Sequence, residues 1–200
     1  MSTEKNIAVL VSGGGTNLQA LIDAQNDGRI TNGKIALVLS SSPDAYALTR
    51  AANNGIATEV VDKKDYTDRV LYTKAIMAKL SEYKIGLIVL AGFMYILDSE
   101  FTTYYENRIM NVHPALIPSF CGEGMYGLRP HKAALERGVK VTGATVHFVN
   151  EIADGGKIIL QKAVPVCDGD TPEILQKRVM EQAEWIILPE AVNLFCNDKL

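Results

Sequence analysis

The 200-residue sequence is poor in the features that mark secreted, membrane-bound or nucleic-acid-binding chains. Cysteine is scarce: Cys121, Cys167 and Cys196 are widely spaced and odd in number, which excludes a complete disulfide framework and a CxxC metal pair and leaves free thiols. No apolar run approaches the roughly twenty residues that span a bilayer, and MSTEKN has neither the basic start nor the apolar core of a secretory signal. Positive charge is not in excess. With 20 Lys+Arg against 23 Asp+Glu, a net charge of -3 and no basic run interleaved with aromatics, nucleic acid is excluded as a main partner. A cytoplasmic protein with no membrane contact is expected. Repeats, low-complexity segments and linkers are absent too, so one domain is expected over residues 1–200.

What is present is alternation. NIAVLVS, KIALVLSSS, ATEVVD and IGLIVLAG are buried-strand runs, separated by helical-period stretches in TNLQALIDAQNDG, DAYALTRAANNG and YTDRVLYTKAIMAKLSEY. Strand, helix, strand repeated in this way predicts parallel strands joined by right-handed crossovers, a Rossmann-like, doubly wound α/β sheet with helices on both faces. The second half changes rhythm. RIMNVH reads as a strand, SFCGEGMYGLRP as a glycine-rich loop and HKAALERG as a short helix. VTGATVHFVN and GKIILQKAVPV read as an antiparallel pair. Thr171 and Pro172 open a closing helix that Pro189 is expected to kink or divide. The phosphate-binding half is expected over about 6–105 and the catalytic half over about 106–200.

The first strand runs into SGGGTN, where Gly14, Gly15, Thr16 and Asn17 lead into a helix. Glycines let the backbone approach a ligand, and the free N–H groups at a helix start attract an anion. Leu18 stands where the dinucleotide pattern GxGxxG has its third glycine, no acidic residue is placed for a ribose, and no Lys follows as in a Walker A loop. A monophosphate fits better than a dinucleotide or a triphosphate; the alternative is a tight turn that needs glycine for its geometry alone.

NVHPALIPSF raises the chemical question. Residues two apart on a strand share a face, so Asn111 and His113 point together, at the carboxyl end where open α/β sheets bind ligands. A histidine at a strand end is by itself more often structural; the amide beside it changes that balance. Amide donors for a developing oxyanion and an imidazole for an amine's proton are what acyl transfer requires. With no GxSxG elbow and no cysteine in a nucleophile motif, direct transfer is preferred to a covalent acyl-enzyme. Asp154, in EIADGGK, would favour an imidazolium at His113, although an Asp-Gly pair alone reads as a plain turn.

VLVSGGGTNLQALIDA, LAGFMYIL, NVHPALIPSF and GATVHFVNEIADGGKIILQ together resemble the glycinamide ribonucleotide formyltransferases of purine biosynthesis, one branch of the folate-dependent formyltransferases, over nearly the whole chain. The resemblance implies transfer of a formyl group from the co-substrate 10-formyltetrahydrofolate to the primary amine of glycinamide ribonucleotide, with no metal. It implies Asn111, His113 and Asp154 as catalytic residues, Gly14, Gly15, Thr16 and Asn17 for the substrate's phosphate, and Glu184 for its ribose. It also implies Lys64, Met94, Tyr95, Ile96, Leu97, Asn111, Asn150 and Asp154 around the folate. Tyr95 and Lys64 stand where relatives carry Arg, and CGEGMYG lengthens the loop before His131 into either a gate or a surface cover. His147 is expected to support the site structurally, and Trp185 and Phe195 to be core. A monomer or a homodimer is expected. Two other readings stay open: a formyltetrahydrofolate deformylase, with water in place of the amine, and a nucleotide-binding module without chemistry.

Overall fold

The computed structural model describes residues 4–200. The apolar runs form β1 (Lys5–Val11), β2 (Gly33–Ser40), β3 (Ala57–Val60), β4 (Ile85–Leu90) and β5 (Ile109–His113), followed by β6 (Val141–Phe148) and β7 (Ile158–Pro165). They join in one seven-stranded sheet of order β3-β2-β1-β4-β5-β6-β7. The first five strands are parallel, whereas β6 is antiparallel to both β5 and β7. The mostly parallel α/β sheet expected from the strand-helix alternation is therefore found, with the antiparallel pairing at its C-terminal edge.

Both faces of the sheet are covered, by α1 (Thr16–Asn26), α2 (Tyr46–Asn53), α3 (Arg69–Glu82), α4 (Ser99–Tyr104), α5 (Arg129–Arg137), α6 (Pro172–Val179) and α7 (Trp185–Cys196). Strand periodicity sorts the core in two. Ile7, Val9 and Val11 pack with α1 and α7 residues on one face, while Ala8 and Leu10 pack with Tyr72 of α3 and Phe101 of α4 on the other. Tyr72 and Phe101 are fully buried, and a side chain of that class contributes about 1.5–3 kcal/mol by leaving water.

Side-chain caps set the helix starts. Asp68, Asp98 and Thr171 accept the backbone N–H groups of Leu71, Phe101 and Ile174 at the heads of α3, α4 and α6. The six-residue α4 was not expected from periodicity; its Asp98 cap is the sequence signal. The closing helix is interrupted, but not at Pro189. Pro189 lies buried within α7, and a single π-helical turn, Met180–Glu184, separates α6 from α7 ahead of it.

The chain leaves β1 for β2 and β3, then crosses back to β4 and β5 on the other side of β1. Crossovers that diverge in this way open a crevice beyond the carboxyl ends of β1 and β4, with the end of β5 beside it. The loop joining β6 to β7 folds over that crevice. At Gly156 a Cβ would stand 1.7 Å from the carbonyl oxygen of Phe148, so only glycine permits the close return, and Asp154 within the loop takes a left-handed φ of 53°. Gly156→Ala is expected to destabilise the protein by at least about 2 kcal/mol through this overlap. An unchanged urea midpoint would show that the loop has room to relax.

Candidate active site

Asn111 and His113 occupy one face of β5, with Met110 and Val112 in the core on the other. Across the ladder Asn111 pairs with His147 of β6. The Nδ1 of His147 lies 2.7 Å from the carbonyl oxygen of Phe148, an acceptor, so Nδ1 carries the proton. Nε2 of the same ring then accepts a hydrogen bond from Asn111 Nδ2 at 3.2 Å. That fixes which way the Asn111 amide points. One Nδ2 proton is committed to His147, and the other has no protein partner among the described residues.

Asp154 completes the cluster. Its Oδ2 lies 3.4 Å from Nδ1 of His113 and accepts the backbone N–H of Gly122 at 2.8 Å, while Oδ1 lies 3.5 Å from Nε2 of His147. The remaining nitrogen of His113, Nε2, donates to the carbonyl of Phe120 at 2.9 Å. The two nitrogens thus have fixed roles: Nε2–H is held by the loop backbone, and Nδ1 faces the carboxylate. Burial pushes the His113 imidazole below its usual range, outweighing Asp154 and the Phe120 carbonyl, which favour the charged form. Desolvation therefore opposes the imidazolium that the neighbouring carboxylate was expected to favour. Burial also pushes the Asp154 carboxyl up, but the His147 and His113 rings beside it and the Gly122 N–H together hold it below the carboxylate range. His131, at the start of α5, is fully buried with neither ring nitrogen hydrogen-bonded, and burial followed by the nearby His113 pushes it down to about 4.

The cluster opens into a cleft of about 400 Å³ lined by Asn111, His113 and Asp154, with Asn17 and Glu184 on one side and Met94, Tyr95 and Ile96 on another. The loop from Gly122 to Gly127 forms a further wall. A smaller cavity of about 140 Å³ shares Asn111 and Asp154 and adds Leu97, Asn150 and His147. Most of the residues expected from the sequence are thereby brought together. Lys64 is not: it lies exposed on a 3-10 turn, Lys63–Asp65, and lines none of these cavities. Its neighbour Lys63 holds its Nζ 5.8 Å from the centre of the Tyr95 ring and donates to the Tyr66 carbonyl at 2.8 Å. The sequence offered two adjacent lysines, and only the turn geometry separates them.

In the first loop the three glycines differ. Gly15 has φ 73°, and a Cβ there would come 2.7 Å from Ala47 Cβ, so the fold itself demands glycine at that position. A Cβ at Gly13 or Gly14 would meet nothing within 4 Å. Packing does not demand glycine there, which fits space kept for a ligand. No side chain caps α1, whose first N–H groups are thus free to meet an anion. Gly14's carbonyl is held at 2.9 Å by Arg50, whose Nη1 also reaches Gln19. The Asn17 side chain turns away from the expected phosphate role: its Nδ2 donates to Glu184 at 2.7 Å, and its Oδ1 is buried without a partner. Thr16 and a half-buried Trp185, expected as core, line a separate cavity of about 240 Å³ with Arg29 and Arg50, whose guanidinium groups are already committed to Asp27 and to Gly14 and Gln19. Among the described residues no group of three or more His, Cys, Asp or Glu is placed to hold a metal ion, and no helix is long and apolar enough to cross a membrane.

A mostly parallel sheet whose strand ends gather an amide, an imidazole and a carboxylate beside a helix start defines an α/β group-transfer scaffold. Residues 5–192 match the formyl transferase family model, and the chain belongs to that family. The relatives make the assignment narrower. The phosphoribosylglycinamide formyltransferase of Escherichia coli is 40% identical over 98% of this chain and 89% of its own length. The trifunctional purine biosynthetic protein adenosine-3 of Gallus gallus is 46% identical over 94% of this chain, which spans only 18% of that longer protein. The crystal structure of glycinamide ribonucleotide transformylase 1 from Symbiobacterium toebii superposes with a TM-score of 0.91 at 44% identity, covering 97% of this chain and 88% of that one.

Glu184 is almost fully buried, at the end of the π turn, and burial pushes its carboxyl up to about 7 against the opposing hydrogen bond from Asn17. A folded pKa above the unfolded value of 4.5 means that its stability contribution is complete below that value and lost as pH rises through about 7. Glu184→Gln should therefore match the parent near pH 4.5 and exceed it at pH 8, by up to roughly 3 kcal/mol at about 1.4 kcal/mol per pKa unit. Urea unfolding at both pH values measures this, and a gap independent of pH would contradict the buried neutral carboxyl.

Proposed function

We propose that the protein transfers the formyl group of 10-formyltetrahydrofolate to the primary amine of glycinamide ribonucleotide, in purine biosynthesis. The observation that carries this is the shared cleft: Asn111, His113 and Asp154 stand between a phosphate-suited helix start with Asn17 and Glu184 and an exposed apolar segment, Met94 to Ile96, beside the smaller cavity. One substrate is then polar and phosphorylated, the other broad and partly apolar, and they meet at the cluster. Membership of the formyl transferase family and the names of the full-length relatives support the same pair.

In this mechanism the amine attacks the formyl carbon, a C–N bond forms, and the carbonyl oxygen becomes an oxyanion. The uncommitted Asn111 N–H is the donor for that oxygen. The amine must lose a proton and N10 of the folate must gain one as its bond to carbon breaks. His113 and Asp154, 3.4 Å apart, take the first proton and return it to the second nitrogen, so no net proton enters or leaves. Desolvation favours the neutral His113 imidazole, the form that can accept a proton, and Asp154 stabilises the imidazolium once it forms. The Asn17–Glu184 pair receives ribose hydroxyls, the free N–H groups of α1 receive the phosphate, and the smaller cavity, with Leu97 and Asn150, receives the pterin.

The direct test is a spectrophotometric assay with 10-formyltetrahydrofolate, run with and without glycinamide ribonucleotide. Folate turnover that depends on the amine supports the transferase; turnover without it indicates a deformylase, and none in either case a binding module. His113→Ala should lower turnover by at least about 100-fold, the scale of a lost general acid/base, with glycinamide ribonucleotide affinity within about threefold. Retained turnover contradicts the assignment. Gly14→Ala is expected to weaken the phosphorylated substrate without shifting the melting temperature, whereas Gly15→Ala should lower the melting temperature itself.

A further inference from the structure

Beyond the last β1–β4 ladder contact, in which Ala91 N–H donates to the Leu10 carbonyl at 3.0 Å, the two strand ends part to form the walls of the cleft. One side chain bridges them there. Ser12, the first residue after β1, accepts the backbone N–H of Met94 at 3.0 Å and a hydrogen bond from the Ser41 hydroxyl at 2.7 Å. Ser41 follows β2, is 3% exposed, and is anchored to β1 through its own N–H on the Val11 carbonyl at 3.0 Å. The Ser41 carbonyl in turn accepts Lys63 N–H at 3.1 Å, and the Lys63 ammonium lies 5.8 Å from the centre of the Tyr95 ring, next to Met94. Ser12, Ser41, Lys63, Tyr95 and Met94 thus form a closed ring of contacts around the strand ends.

We infer that the Ser12 hydroxyl is a positioning group that couples the phosphate-side loop to the folate-side segment, so that each substrate strengthens binding of the other. The inference rests on the two-substrate reading of the cleft. On one side, Ser12 leads directly into Gly13 and Gly14, which have open space around them. On the other, Met94 and Ile96 are 48% and 50% exposed, while Tyr95 between them rests edge-on against Tyr72 and Phe93. Two wall segments joined by one buttressed hydroxyl share the ordering penalty of binding: a ligand that orders the first leaves less to order in the second. Both acceptor positions of the Ser12 oxygen are used, one by each neighbour, so removing it releases Met94 and Ser41 together.

The test uses the full chain with glycinamide ribonucleotide and tetrahydrofolate, which lacks a formyl group and so forms a complex that does not react. Calorimetry gives the dissociation constant of each ligand alone and in the presence of saturating amounts of the other. In the parent protein each ligand should tighten the other by the same factor, about fivefold or more. In Ser12→Ala that factor should fall below about twofold while each ligand alone binds within about threefold of the parent. Ser12→Thr, which keeps the hydroxyl, should restore it, a recovery that general loosening of the loop would not produce. A parent factor of one, or a factor unchanged in Ser12→Ala, overturns the inference. Failure of the parent to bind either ligand instead overturns the assignment of function on which it rests.

Discussion

The Asp154 carboxylate organises the site. It lies against polar groups from three separate places in the chain, the rings of His113 at the end of β5 and His147 in β6 and the Gly122 N–H in the long loop after β5, and accepts a hydrogen bond from the last. A carboxylate in a partly buried position is costly unless it is hydrogen-bonded, so the loop after β5 is held against it by the N–H that Gly122 supplies. The backbone was shaped to bring it there. Asp154 adopts a left-handed φ, and the glycine two residues on passes within contact of Phe148, whose carbonyl also sets the His147 tautomer. The orientation of Asn111 follows from that tautomer. Two backbone carbonyls, of Phe148 and Phe120, thus set the directions of the His147 and His113 rings on either side of the anion.

The sheet order explains why the cluster lies between two unlike walls. Because β1 lies between β2 and β4, the loops after β1 and β4 diverge to opposite walls, while β5 delivers its two polar side chains beside them. A ligand touching both walls must pass the end of β5. Asn111 and His113 are thereby held on the sheet itself, while Asp154 reaches them from the β6–β7 loop.

Much of this was legible in the sequence because strand periodicity is a strong constraint. The pairing of Asn111 with His113 needed only the two-residue repeat of a strand, and the parallel half of the sheet needed only strand-helix alternation. What was not legible depended on contacts between segments distant in sequence. Nothing local distinguishes Lys63 from Lys64, yet the 3-10 turn sends one toward Tyr95 and the other to solvent. Ser12 looks like a loop residue until Met94 and Ser41, 82 and 29 positions away, are seen to meet at its oxygen. The charge state of His113 also ran against the local expectation, because desolvation is a property of the whole surrounding fold and not of the carboxylate beside it. Proline was a misleading signal for the interruption of the last helix, since a π turn has no sequence mark comparable to a missing N–H.

That π turn separates two properties which an ordinary helix ties together. In a regular α-helix each added residue rotates everything after it by about 100°, so length and facing cannot be changed independently. A turn of the wider kind absorbs one residue as a local swelling, and the apolar stripes of α6 and α7, with Leu175 and Val179 before it and Ile187 and Leu188 after it, meet the same core. The chain can therefore gain or lose a residue between Met180 and Glu184 with its core phase intact. The quantity at stake in such a change is the aim of the Glu184 carboxyl into the cleft, which the apolar packing of α6 and α7 does not register.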